Sequence, residues 1–241
     1  MPRDLNKLHD LDRLNARFES DPTGAIRYAV NGPFGPTALV SSFGAESVVL
    51  LHMVAQIDRN LPIIFIDTLL LFPETIAYQE TLVAQLGFTD LRRTRPDREE
   101  MFLQDPEVSL NVSDPDACCA LRKARPLERA LAPFESWISG RKRFQSDTRA
   151  QLQVFEPDPL TGRIKINPLA GFSAEDLRAY MDRHALPRHP LVAQGYRSIG
   201  CTPCTRPVAS DEDPRAGRWP GQNKVECGIH LANGQVLRRA S

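Results

Sequence analysis

Residues 37–67 read TALVSSFGAESVVLLHMVAQIDRNLPIIFID. A short apolar run, TALVSS (37–42), gives way to the small-residue loop FGAE. ESVVLLHMVAQID (46–58) is long enough to be a helix, and PIIFID (62–67) is a second apolar run of strand length. PETIAYQETLVAQLG (73–87) has Pro near its start and Gly at its end, which mark the limits of a helix. FTDLRRT (88–94) then reads as a third strand. Strand, helix, strand, helix, strand implies parallel strands joined by right-handed crossovers. The expected class is therefore a doubly wound, mostly parallel α/β sheet.

The flanking sequence extends this frame. FESWIS (134–139) adds a strand, and LQVFE and RIKIN add two short ones around the Pro157-Asp158-Pro159 turn. SAEDLRAYMDRHAL (173–186) opens with Ser-x-x-Asp and reads as a helix. Upstream, Leu5, Leu8, Leu11, Leu14 and Phe18 recur at helical spacing. Asp21-Pro22 pairs an N-cap with Pro at the first helical position and opens a second helix to about Val30. NGPFGP (31–36) is a turn. The expected organisation is N-terminal helices over 1–36, an α/β core over 37–186 and an irregular segment over 187–241, together one domain. That last segment is rich in Pro, Gly and Arg and contains three of the five cysteines.

A chain of 241 residues with 30 basic and 30 acidic side chains is neutral overall. A general nucleic-acid binder would carry an excess of positive charge, although a local patch can hide in a neutral sum. The start, MPRDLNKLHD, is charged and lacks the apolar core of a secretory signal. No run approaches the ~18 apolar residues of a membrane span. The expectation is a cytoplasmic protein with neither nucleic acid nor membrane as partner.

In a reducing compartment, closely spaced cysteines read as metal ligands or catalytic thiols before disulfides. Cys118 and Cys119 are adjacent, Cys201 and Cys204 form Cys-x-x-Cys, and Cys227 stands alone. Neighbouring Cα atoms ~3.8 Å apart are too close for an ordinary bridge. Asp114 as N-cap and Pro115 at the first position place Cys118 and Cys119 in or just after the first turn of a helix, where the dipole favours thiolates. Arg122 and Lys123 lie four residues beyond Cys118 and Cys119, on the same side of that helix. Four sulfurs suit zinc or a [4Fe–4S] cluster. An adjacent pair is awkward in a zinc tetrahedron and easier on a cluster whose separate irons each take one sulfur.

Two loops carry a binding signal. SSFGAES (41–47) joins the first strand to its helix with small residues, Ser41, Ser42, Gly44 and Ala45, that let a phosphate approach the backbone. IDT (66–68) ends the second strand, with Asp67 where a nucleotide contact is commonly placed. In KVECGIHL (224–231), Cys227 sits near the end of the sequence with His230 three residues on, a placement suited to a nucleophile that must also meet a second protein.

CCALRK, HPLVAQGYRSIGCTPCT, DPRAGRW and ECGIHL, in this order, resemble the sulfonucleotide reductases of the iron–sulfur type that reduce adenosine 5′-phosphosulfate (APS). Their relatives that use the 3′-phosphorylated nucleotide (PAPS) typically lack the four paired cysteines. The resemblance covers about residues 37–231 and implies an adenine nucleotide alpha-hydrolase-like fold. It implies that Cys118, Cys119, Cys201 and Cys204 bind one [4Fe–4S] cluster and that Cys227 is the nucleophile. It further implies that Ser41, Ser42, Gly44, Glu46, Asp67, Lys123, Arg143, Arg215, Arg218 and His230 contact the substrate. In WISGRKRFQSDTR (137–149) three cations run together, Arg141, Lys142 and Arg143, and the sequence leaves open how they divide their roles.

The implied reaction belongs to assimilatory sulfate reduction, toward cysteine biosynthesis. The Cys227 thiolate attacks the sulfate sulfur, AMP leaves, and an S-sulfocysteine remains. No Trp-Cys-x-x-Cys motif occurs in the sequence, so the thiol that releases sulfite is expected from outside, from thioredoxin or glutaredoxin. Oligomeric state is open, and a homo-oligomer is compatible with this reading. Two rivals are a PP-loop ATP pyrophosphatase of the tRNA-thiolating kind and a zinc-stapled binding module. The first usually has Ser-Gly-Gly-x-Asp-Ser where this chain has Ser42-Phe43-Gly44-Ala45-Glu46.

Overall fold

The computed structural model describes residues 6–32, 34–158, 161–222, 224 and 226. Six strands form one sheet: β1 Thr37–Ser41, β2 Ile63–Ile66, β3 Leu91–Thr94, β4 Ser136–Ile138, β5 Phe155–Pro157 and β6 Ile164–Ile166. Their order is β3-β2-β1-β4-β6-β5, parallel throughout except for β5, which runs antiparallel to β6 at the edge. The helices are α1 Asn6–Phe18, α2 Pro22–Asn31, α3 Ser47–Ala55, α4 Pro73–Leu86, α5 Arg98–Gln104, α6 Leu110–Ser113, α7 Pro115–Cys119, α8 Arg125–Leu131 and α9 Ala174–Arg183.

Strand alternation builds three layers. Leu39, Ile63, Phe65 and Ile138 point into the larger core, with Val48 and Leu51 of α3, Leu82 of α4 and Leu177 of α9. Their neighbours Ala38, Val40, Ile64 and Trp137 point the other way, onto Leu127 and Leu131 of α8. Burial on both faces explains why TALVS and IIFI read as continuous apolar runs.

Local signals fix the ends. Asp21 caps α2 by accepting from Gly24 N–H, and Ser173 with Asp176 forms a capping box on α9. Gly87 ends α4 in the left-handed region, φ 72°, which favours glycine. α1 packs Phe18 against Phe155 of the edge strand β5. Asn15 of α1 donates to the Phe155 carbonyl and accepts from its N–H, at 3.0 and 2.7 Å. One amide side chain thereby satisfies a strand edge that would otherwise be open for pairing. Among the described residues no helix is long and apolar enough to cross a membrane.

Candidate active site

The connections from β1 and β4 run to opposite sides of the sheet, since β2 lies beyond β1 and β6 beyond β4. In open α/β sheets, ligands bind outside the carboxyl ends of the strands at such a reversal. A cavity of about 260 Å³ lies there, lined by residues 39–42 and 44–47 from β1 and its loop and by 139–142 after β4.

The β1 loop is tightly held. Ser41 Oγ accepts from Phe43 N–H at 3.2 Å, and Ser47 Oγ accepts from Gly44 N–H at 2.9 Å. Phe43 is buried and left-handed, φ 49°, a strained state that persists where the surroundings enforce it. Opposite, Lys142 Nζ lies 2.8 Å from Glu46 Oε2, which also accepts from Gln145 Nε2 at 2.9 Å. Burial holds the Lys142 ammonium below the usual lysine range, although Glu46 works against that.

Charge in this neutral chain is concentrated here. Seven lining side chains are Arg or Lys and three are Asp or Glu. Arg141 and Arg218 both line the cavity, and each has a buried Nε without a hydrogen-bond partner. Buried guanidinium donors left open are costly, so an anion in the cavity would complete them. The Arg218 guanidinium packs against Gly200: a Cβ there would come within 2.4 Å of its Nη2 and push it aside.

The four paired cysteines are all buried, and Cys201 lines this cavity. Thr68, just after β2, places Thr68 Oγ1 3.2 Å from Cys201 Sγ, and Leu71 bridges Cys201 through the backbone. Trp219 N–H donates to the Cys204 carbonyl, and the indole packs on Cys201 and Cys204. Arg218 stacks on that indole, with its guanidinium carbon 4.5 Å from the ring centre. Asp114 caps α7 by accepting from Asp116 and Ala117 N–H, which places Cys118 and Cys119 at the helix start as expected. A π-helical turn, Ala120–Ala124, follows, and Arg125 N–H donates to Ala120 O five residues back. Pro126 would clash with the Arg122 carbonyl in a regular helix, and the wider turn relieves that.

The thiols share one electrostatic environment. Burial pushes the Cys118 thiol up to about 11; Arg122 and Lys123 oppose this, and Cys201 and Cys204 add to it. Burial likewise raises Cys204, reinforced by Cys201 and opposed by Lys123, Arg218 and Lys224. Any thiolate formed there draws on the positive charge of Arg122, Lys123, Arg218 and Lys224. Among the described residues no three Cys, His, Asp or Glu side chains surround a point that one metal ion could occupy. Zinc needs every sulfur ~2.3 Å from one ion, whereas a cluster spreads its ligands over several irons. The adjacent pair and the Cys-x-x-Cys pair offer the all-sulfur donor set that such a cluster takes.

Of the residues expected to contact substrate, Ser41, Ser42, Gly44, Glu46, Lys123, Arg215 and Arg218 line the cavity. Asp67 and Arg143 do not. Asp67 is buried and bonded to Arg93 and Arg95, at 3.0 and 2.8 Å, and accepts from Leu69 N–H. Arg143 binds Glu19 and the Leu152 carbonyl on another side of the loop. Within the three-cation run it is Arg141 and Lys142 that face the cavity. Arg122 also departs from expectation. It remains close enough to act on Cys118, but its guanidinium is bound to Asp105 at 2.8 Å. Cys227 and His230 lie outside the described residues. Arg149 and Arg197 line the cavity and Lys224 bonds Asp116, yet none was singled out from the sequence, although each lies in a stretch quoted above.

Comparison with known proteins gives a consistent result. The family model described as phosphoadenosine phosphosulfate reductase domain matches residues 36–207. A protein of Mesorhizobium japonicum named adenosine 5′-phosphosulfate reductase is 53% identical, over 83% of this chain and 78% of the relative. One of the same name from a Chelativorans species is 49% identical, over 100% of this chain and 98% of the relative. A crystal structure of phosphoadenylyl-sulfate (PAPS) reductase from Candida auris, a phosphate complex, superposes with a TM-score of 0.68 at 30% identity. It covers 80% of this chain and 94% of that one.

Proposed function

The chain belongs to the phosphoadenosine phosphosulfate reductase domain family, and on that premise we propose that it reduces adenosine 5′-phosphosulfate to sulfite and AMP. The observation that carries this reading is the pair of orphaned guanidinium nitrogens, on Arg141 and Arg218, in a cation-lined cavity at the sheet reversal. A phosphosulfate supplies two adjacent anionic groups for such donors. APS, rather than its 3′-phosphorylated form, follows from the two relatives' names and from the four paired cysteines.

The roles follow from position. The loop 41–47 and the positive end of α3 receive the AMP phosphate. Lys123, Arg141 and Arg218 contact the sulfonate and the bridging oxygen, where charge grows as the sulfur–oxygen bond breaks. Cys227, the residue after Glu226, attacks the sulfur as a thiolate. The bonding electron pair leaves on the phosphate oxygen of AMP, and an S-sulfocysteine forms at Cys227. An external dithiol such as thioredoxin or glutaredoxin then attacks Cys227 Sγ, sulfite departs with the sulfur–sulfur electron pair, and the second thiol closes a disulfide. The dithiol therefore supplies both electrons. Cys118, Cys119, Cys201 and Cys204 would hold a [4Fe–4S] cluster. When bound, it supplies fixed charge that orders the Lys123 side of the cavity rather than electrons.

The test is single turnover without reductant. Offered APS, the wild type gains one SO₃ group on the peptide that carries Cys227, and added thioredoxin converts it to sulfite. Cys227→Ser does neither. Sulfite release from that variant, or a preference for PAPS in the wild type, contradicts the reading.

A further inference from the structure

We propose that Lys224 and Glu226 form a two-point strap that sets the position of Cys227; this rests on the reading of Cys227 as the sulfur acceptor. Two charged side chains, two residues apart, are buried against different partners. Lys224 Nζ lies 3.0 Å from the Pro115 carbonyl and 2.6 Å from Asp116 Oδ1, and its side chain also bonds the Cys119 thiol. It is thereby fastened to the start of the helix that carries Cys118 and Cys119. Glu226 is fastened to the 146–149 turn. Arg149 grips it bidentately, Nε at 2.6 Å and Nη2 at 2.8 Å, and Ser146 Oγ donates at 3.1 Å. Arg215 adds a second cation at 3.9 Å.

Both side chains are almost wholly out of solvent, Lys224 6% and Glu226 2% exposed. Burying a lone charge is expensive, and here each has a matched partner. Lys224 and Glu226 are thus each satisfied where they sit, and displacing either side chain would strand a buried charge. Glu226 lines the cavity, so the arrangement brings the chain to the cavity wall one residue before the nucleophile. Reacting atoms must come within about 3–3.5 Å, and a misplacement of about 1 Å can cost ~100-fold in rate. Lys224, Glu226 and Arg149 are positioning residues in this account. Because Lys224 is tied to Asp116 and Cys119, disorder at the cysteine centre would pass directly to Cys227.

The experiment compares wild type with Glu226→Gln, Lys224→Met and Lys224→Arg, on protein purified without air. Three quantities are read: AMP affinity, hydrogen exchange of the peptide around 222–231, and the single-turnover rate of SO₃ transfer to Cys227. For Glu226→Gln and Lys224→Met, AMP affinity stays within ~3-fold while transfer slows at least ~30-fold. Exchange in that peptide speeds at least ~10-fold in both, while peptides from β1 and β4 keep wild-type protection. Lys224→Arg keeps the charge but not the compact ammonium, and it falls between wild type and Lys224→Met in both transfer rate and exchange. Exchange in the 222–231 peptide equal to wild type in both Glu226→Gln and Lys224→Met overturns the strap. A wild type that never acquires SO₃ on Cys227 overturns the substrate reading instead, and exchange still decides the strap.

Discussion

Arg122 Nη2 lies 2.8 Å from Asp105 Oδ2, and neither side chain is more than 4% exposed. The pair joins three segments. Asp105 Oδ1 accepts from the N–H groups of Ser109 and Leu110, and Arg122 donates to the Thr68 carbonyl beside Cys201. Burial pushes the Asp105 carboxyl up, but Arg122 and the two amides outweigh it and hold it below the usual carboxylate range. Removing one partner leaves an uncompensated buried charge, which costs about 3–5 kcal/mol. Asp105→Ala should therefore lower urea stability by that order. The doubly apolar Asp105→Leu/Arg122→Met variant should recover most of the loss. A single variant as stable as wild type would mean that the pair is not closed in solution.

Lys142 and Glu46 predict effects of opposite sign. Lys142→Met leaves the Glu46 carboxylate unopposed in an anion site, which lost charge and gained repulsion both penalise. AMP affinity should fall at least ~10-fold. Glu46→Gln frees the Lys142 ammonium, and AMP affinity should hold or improve. Equilibrium binding of AMP checks both. Equal losses in the two variants would show that the pair serves loop structure instead of ligand charge.

These two pairs also show what could be read in advance. The sheet was legible because β1 and β2 are buried on both faces and bounded by turn residues, and because Asp21, Gly87 and Ser173 carry helix-end signals. Asp114-Pro115 likewise placed Cys118 and Cys119. The π turn was not legible, because its cause, Pro126, acts on a carbonyl four residues upstream inside a helix already in progress. The sequence left open how Arg141, Lys142 and Arg143 divide their roles, because three consecutive cations carry no periodicity; Arg141 and Lys142 line the cavity, and Arg143 is held by Glu19 and the Leu152 carbonyl. Asp67 was assigned to the nucleotide from its place after β2, but Arg93 and Arg95 of the neighbouring strand and its continuation claim its carboxylate. Such partners are distant in sequence and invisible to local patterning. α5 and α6 expose Phe102, Leu103 and Val112 and therefore lack the apolar stripe that would have revealed them.

Arg143 supplies a control. Its partner Glu19 is largely exposed, and a pair of that kind contributes only about 0–1 kcal/mol. Arg143→Ala should leave the KM for APS within ~2-fold, whereas Arg218→Ala should raise KM or lower kcat by at least ~10-fold. Steady-state sulfite release measures both. A large loss for Arg143→Ala would place that side chain in the cavity after all.

His189 makes stability depend on pH. Its Nδ1 accepts from Leu191 N–H at 3.2 Å, so the ring proton lies on Nε2, 3.1 Å from Thr75 Oγ1. Burial pushes the imidazole down to about 4, and Glu74 opposes this weakly. Unfolded, the ring protonates near pH 6.5. Between these values the unfolded chain binds more protons than the folded one, so the stabilisation is complete above about pH 6.5 and is lost as pH falls toward 4. The loss reaches on the order of 3 kcal/mol. Protonation would also break the Leu191 contact that starts the segment leading to Cys201. Urea titrations at pH 7, 6 and 5 should show stability falling in wild type and a much shallower slope in His189→Gln. Parallel slopes in the two proteins would mean that His189 is already solvated when folded.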